Sequence, residues 1–165
     1  MAKYAERTEV GSDRSRAEIE RTLRRYGATA FGYGWQNNIA TIIFELSARR
    51  ILFQLPMPDP RAKAFTLTAT GRERSAAAAE QTYEQAVRQR WRALALVIKA
   101  KLEAVDAGIT TVEQEFGMFI ALPDGRTVGE VVLPQIDHTY RTGLMPPLLA
   151  IGPGGSEAET DGGER

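Results

Sequence analysis

His138 is the only histidine in the chain, and there is no cysteine. Catalysis of the Ser-His-Asp kind would have to use His138 as its base, with Asp137 beside it. A lone histidine in a short C-terminal helix reads more simply as a partly exposed surface side chain. The same scarcity constrains metals, because the usual nitrogen and sulfur sites draw on several His or Cys ligands. Only an all-carboxylate site for a hard cation remains. Glu113 with Glu115, and Glu18 with Glu20, are the pairs to consider. Residues two apart on a helix point to different faces, so these read as solvated charges. Phosphate-binding loops need glycines at set spacings. Gly27, Gly32 and Gly34 match neither Gly-x-x-x-x-Gly-Lys-Ser/Thr nor Gly-x-Gly-x-x-Gly. A helix terminator at Gly27 and a bent or closely packed strand account for them. No catalytic residues, metal ligands or cofactors are therefore expected.

Basic side chains are the better lead. Arg88, Arg92 and Lys99 fall within a narrow sector of one long helix, with Ala95 between them. A line of cations beside small residues can follow a phosphate backbone. Arg24 and Arg25 crowd an earlier helix with Arg21, and Arg49 and Arg50 fall at an expected hairpin tip. Tyr33 and Trp35 sit on an expected strand, where aromatic rings can stack on bases. These nine residues, Arg21 aside, are the candidate nucleic-acid contacts. The competing reading is that the cations cover apolar surface with their methylene stems and that the aromatics are core.

The 165 residues carry no net formal charge, but the balance is uneven. From Gly152 onward Glu157, Glu159, Asp161 and Glu164 stand against Arg165 alone, a net −3. The remainder holds 20 basic and 17 acidic residues, a net +3. A strongly basic domain would point to nucleic acid by charge alone; this body is only mildly basic, and its acidic tail could compete for the basic surface or recruit a partner. The chain suffices for a single domain over residues 1–151, with a disordered acidic, Gly-rich tail over 152–165. The N-terminal residues lack the apolar core of a signal peptide, and no apolar run approaches the ~20 residues of a membrane span. A cytoplasmic protein without membrane contact is expected.

These residues must be positioned by elements that the patterning predicts. Residues 3–10 read as a short edge strand. Ile19, Leu23 and Tyr26 recur at helical spacing and predict a helix over 12–26, with Ser12 or the Ser15–Glu18 capping pair at its start. Alternating apolar residues at Phe31, Tyr33 and Trp35, at Ile42, Phe44 and Leu46, and at Ile51, Phe53 and Leu55 predict a three-stranded antiparallel meander. Asn37–Asn38 and residues 47–50 supply its turns, and Pro56, Pro58 and Pro60 end it. Residues 65–68 suggest a fourth short strand. A long helix then spans roughly 75–107, with Tyr83, Val87, Trp91, Leu94, Ile98, Leu102 and Val105 on one face. Residues 93–98 are apolar all round, which predicts that other elements enclose this stretch; Leu96 and Val97 need partners away from the main stripe. Thr111 caps a shorter helix through Phe119, and residues 127–140 form another, broken at Pro134. The class is α+β: an N-terminal helix, a three-stranded antiparallel meander packed on a long central helix, then two short C-terminal helices.

Several strings resemble a known group. They are residues 3–10, 15–20 and 25–28, the Arg88-Gln-Arg-Trp-Arg-Ala-Leu-Ala-Leu96 run, Leu122-Pro-Asp-Gly125 and Met145-Pro-Pro-Leu-Leu149. Together they resemble an uncharacterised family of small proteins encoded in tailed-phage and prophage genomes. The resemblance runs to about Gly152; it implies a phage, intracellular setting and brings no catalytic residues. The order helix, meander, helix is also similar to that of double-stranded-RNA-binding domains. A meander followed by a long helix is similar to the core of phage single-strand annealing proteins. The signature motifs of both are missing, so element order alone carries these likenesses.

Three functions are then in play. The first is a non-enzymatic phage accessory protein that binds nucleic acid, single-stranded DNA or RNA, in phage DNA metabolism. The second is a structural or interaction module acting on a phage or host protein, or on its own copies as an oligomer. The third is a carboxylate-dependent metal nuclease, which would need acids from different elements to converge on one cleft.

Overall fold

The computed structural model describes residues 3–144, with side chains from Asp13 onward. The chain order is α1 (Lys3–Arg25), β1 (Ala30–Gln36), β2 (Ile39–Leu46), β3 (Arg49–Pro56), α2 (Lys63–Thr66), α3 (Ala76–Asp106), α4 (Val112–Phe116) and α5 (Val128–Thr142), with a 3-10 turn at Gly117–Phe119 between α4 and α5. This is the expected α+β arrangement. The tail expected over 152–165 lies outside the described residues.

α1 begins well before the predicted start. Lys3 onward is helical, so the expected edge strand over 3–10 is absent and Ser12 and Ser15 lie inside the helix rather than capping it. Polar residues without strict alternation fit a solvated helical turn as well as an edge strand, and continuity with the helix decides. α1 ends as predicted at Gly27, whose φ is +87°. The Ala28 N–H bonds Leu23 O at 3.0 Å and the Gly27 N–H bonds Arg24 O at 3.2 Å, a Schellman closure that needs the left-handed residue.

The meander is as read. β1 pairs antiparallel with β2, and β2 with β3, through turns at Asn37–Asn38 and Ser47–Ala48. All four turn residues have positive φ, the two-residue hairpin geometry that matches strand twist. Arg49 and Arg50 are therefore the first two residues of β3 and not the hairpin tip. The register sets Tyr33 opposite Ile42 and Phe31 opposite Phe44, so all three alternating apolar sets point to one face. The fourth strand is not formed: Lys63–Thr66 is a single helical turn, and Leu67 makes only an isolated bridge to Glu73.

That face closes on α3. Trp91, Ile98, Phe44, Ile42 and Ile51 are fully buried in one cluster with Ile19 and Leu23 of α1 and Phe116 of α4. Each such side chain contributes roughly 1.5–3 kcal/mol by leaving water. Phe116 stands edge-on to Phe44, with ring centroids 5.8 Å apart. α1 packs lengthwise on α3. Ser75 caps α3 by accepting from the Ala78 N–H, and the Thr111–Gln114 and Thr127–Glu130 capping boxes start α4 and α5. α5 is continuous through Pro134 and is not broken there. The ring removes one backbone bond without ending the helix. Among the described residues no helix is long and apolar enough to cross a membrane.

One expectation about α3 fails. Residues 93–98 are not enclosed: Ala93, Leu96 and Val97 are exposed, at 57% for Leu96 and 46% for Val97. The sheet covers one side of α3 and α1 an adjoining side, and no described element lies on the third.

Candidate nucleic-acid interface

The seam between α1 and α3 is a groove. Its first part, about 370 Å³, lies between Arg14, Ser15 and Glu18 of α1 and Arg88, Arg92 and Leu96 of α3, over a floor at Ala95. Its second part, about 470 Å³, is bordered by Arg14, Glu18, Arg21, Thr22 and Arg25 of α1 with Lys99 of α3. Arg14 and Glu18 belong to both parts, so the two form one continuous recess.

Helical spacing explains how it is built. Ile19 and Leu23 pin α1 to the core, and Arg14, Glu18, Arg21 and Arg25 share the flank that adjoins α3. On α3, Arg88, Arg92, Ala95 and Lys99 recur at three- and four-residue steps beside the buried Trp91 stripe. Ala95 is small and buried, which lets the helices approach while the long cations stand at the rims. Arg14 to Arg25, and Arg88 to Lys99, each span about 17 Å at 1.5 Å per residue, so the two rows run side by side over equal lengths.

Six cations thus border a recess that contains the single carboxylate of Glu18. Arg88 faces Glu84 at 3.5 Å and Lys99 faces Glu103 at 3.6 Å, both in exposed i,i+4 pairs of the kind worth at most about 1 kcal/mol. Arg14, Arg21, Arg25 and Arg92 form no ion pair with a described residue. Arg21 Nε donates to Ala17 O at 3.2 Å.

Of the nine residues singled out in the sequence, Arg25, Arg88, Arg92 and Lys99 meet in this groove. The other five do not. Arg24 is on the opposite flank of α1, paired with Glu20 at 2.6 Å. Arg49 reaches Glu113 at 3.8 Å, and the backbone of Arg50 accepts from the Ala121 N–H at 2.8 Å; both lie toward α4. Tyr33 is 37% exposed but turned inward: its ring lies 5.8 Å from that of Trp91, with the Arg16 guanidinium 4.3 Å above it. Trp35, 50% exposed, is on the same face of the edge strand. Arg16 and Arg14 are on different flanks, so the body of α1 separates the aromatics from the groove. Arg14 is a groove residue that the sequence reading missed, and Arg21, noted there beside Arg24 and Arg25, was left out of the nine candidates. Their i, i+4, i+7, i+11 spacing with Glu18 and Arg25 was the available signal, but Glu18 interrupts it.

The acids do not gather. Among the described residues no group of three or more His, Cys, Asp or Glu side chains could hold a metal ion. Glu115 accepts from Lys101 Nζ at 3.0 Å, and this hydrogen bond holds its carboxyl below the usual range. Asp124 is lowered likewise by Arg126, whose Nε donates at 2.8 Å. His138 is exposed on α5. No protein-family model, curated protein or solved structure matches the chain.

Proposed function

We propose that the protein binds nucleic acid without catalysing a reaction, holding a single strand of DNA or RNA by its phosphates along the α1–α3 groove. The observation that carries the reading is the meeting of six cations from two helices around one recess, four of them without an ion-pair partner among the described residues. Unneutralised guanidinium groups in a row suit a phosphodiester backbone, since each contact releases condensed counterions. A recess about 17 Å long between two helices accepts one strand, and a duplex would rest on its rims. Binding by this route is blind to sequence, because the strand aromatics stand on the other side of α1. The setting that goes with this reading is that of an accessory protein in phage DNA metabolism, in the cytoplasm; the resemblance to phage- and prophage-encoded proteins supports the setting, and the groove supports the binding.

Fluorescence anisotropy of labelled single-stranded and duplex oligonucleotides at two salt concentrations tests the reading. The expected result is binding at about 50 mM salt that weakens steeply by 200 mM. Absence of binding at about 50 mM to any of these probes overturns it. A second reading, an interaction module for a phage or host protein, is favoured by the exposed Leu96 and Val97.

A further inference from the structure

The cationic groove has a counterpart within the same chain. Residues 152–165 carry a net −3 and the remainder a net +3. Four of the groove cations, Arg14, Arg21, Arg25 and Arg92, form no ion pair with a described residue. Four acids, Glu157, Glu159, Asp161 and Glu164, follow one another with no basic residue between them. Their spacing suits the recess. Glu157, Glu159 and Asp161 alternate with Ala158 and Thr160, so an extended chain turns these three carboxylates to one side, about 6.7 Å apart. Arg88 and Arg92 are four residues apart on the α3 rim, about 6 Å. Glu164 is three residues beyond Asp161 and faces the opposite rim, where Arg21 and Arg25 are again about 6 Å apart along α1. Gly162 and Gly163 between those acids leave the backbone free to follow the recess. From Glu157 to Glu164 an extended chain spans about 23 Å, enough to line a groove about 17 Å long.

We propose that residues 157–164 lie in the α1–α3 groove of their own chain, as an anionic strip that a nucleic acid must displace. This is regulation of the site in the proposed function and rests on that reading for its ligand, whereas the contact itself needs only the groove cations. Reach permits it. The described residues end at Leu144, and the chain from there to Glu157 extends up to about 43 Å, about three times the radius of gyration of about 14 Å for a domain of this size. Tethering selects this segment over an acidic partner, since it holds the carboxylates at an effective concentration in the millimolar range. Solvent-exposed ion pairs are each worth at most about 1 kcal/mol, so a polyanion making several phosphate contacts can replace them. The strip therefore raises the threshold for binding without closing the groove, and salt weakens it.

The test has one arm without nucleic acid. The chain has four lysines, Lys3, Lys63, Lys99 and Lys101, of which Lys99 borders the groove. A carbodiimide joins a carboxylate to an amine only where the two are in contact. Treating the full chain at about 50 mM salt and mapping the monomeric product by mass spectrometry should link the 157–164 acids to Lys99 well above Lys63, and about 500 mM salt should abolish the link. The second arm reads anisotropy with a labelled single strand. Glu157→Gln, Glu159→Gln, Asp161→Asn and Glu164→Gln together should tighten binding about threefold or more at about 50 mM salt, with little gain at about 300 mM. In an Arg21→Gln, Arg25→Gln background the gain should shrink, because there is less for the strip to cover; repulsion of the strand by a segment outside the groove would give the same gain in both backgrounds. A Lys99 link in a chain that binds no strand refutes the proposed function and upholds the contact. Strand binding without that link overturns the contact alone. Links to Lys63 as frequent as to Lys99, links formed only between chains, or an equal gain in both backgrounds also overturn it.

Discussion

Replacing Arg21 and Arg25 together by glutamine isolates the groove's phosphate contacts from everything else these side chains do. Both are exposed on α1 and neither is ion-paired with a described residue, so the change should move stability by no more than about 0.5 kcal/mol. Its effect on nucleic-acid binding is calculable. Arg14, Arg21 and Arg25 on the α1 rim each have a phosphate's worth of charge to give. At about 0.7 in the log–log salt slope per single-strand contact, three contacts contribute about −2.1. The double variant keeps one of them, for about −0.7. Between 50 and 200 mM salt the α1 contribution to affinity should then fall about 18-fold in the parent and about threefold in the variant. Anisotropy titrations with a labelled single strand of about 20 nucleotides, at four or five salt concentrations, measure both slopes. Two controls make the result specific to the groove. Arg49→Gln with Arg50→Gln removes equal charge near α4, and Trp35→Ala removes the exposed aromatic beyond α1; each should leave the slope as it was. A slope unchanged in the Arg21/Arg25 variant refutes the reasoning. So does a drop in slope at Arg49/Arg50, or a larger loss of affinity at Trp35 than at the groove.

Other outcomes follow from the packing and the ion pairs. Trp91→Ala should cost about 3–5 kcal/mol in chemical denaturation, because the indole is fully buried between sheet and helix. Trp91→Phe should cost clearly less than Trp91→Ala, since a ring still fills most of the site and the buried Nε1–H that it removes has no hydrogen-bond partner among the described residues, which relieves an unsatisfied donor; a loss near that of alanine would contradict this. Gly32→Ala should destabilise by about 1–3 kcal/mol, because a Cβ there meets Ile43 Cγ2 at 2.9 Å. Gly34→Ala, with nothing within 4 Å, should be neutral to within about 0.5 kcal/mol, and equal costs at the two sites would refute the contact. The lowered Glu115 carboxyl stabilises the fold at pH values above its unfolded pKa of about 4.3. That stabilisation is lost as pH falls through its lower native value. Lys101→Met should flatten stability against pH over this acid range, and an unchanged profile would show that the Lys101 bond is not its source.

Local rules suffice for much of this protein. The meander, its turns and its single apolar face follow from alternation and from Asn37–Asn38, because a period of two and left-handed turn residues leave few other arrangements. The buried stripe of α3 from Tyr83 to Leu102 follows from helical spacing, and Gly27 from its need for positive φ. Where signals were weak the neighbours decided: residues 3–10 continued as helix from the turn beyond them, and residues 63–66 made a helical turn instead of a strand.

The candidate site belongs to the tertiary level. Arg88, Arg92 and Lys99 could be placed on one flank of α3 from spacing alone. Which other cations joined them depended on how α1 lies on α3, and no pattern within one helix encodes its rotation against another. That rotation brought in Arg14 and Arg21, turned Arg24 away, and put α1 between the groove and Tyr33. It also left the apolar side of residues 93–98 uncovered. Sequence determines how apolar a helix face is, through the side chains it lists in order; only the packing of the whole chain decides whether that face meets the core or water.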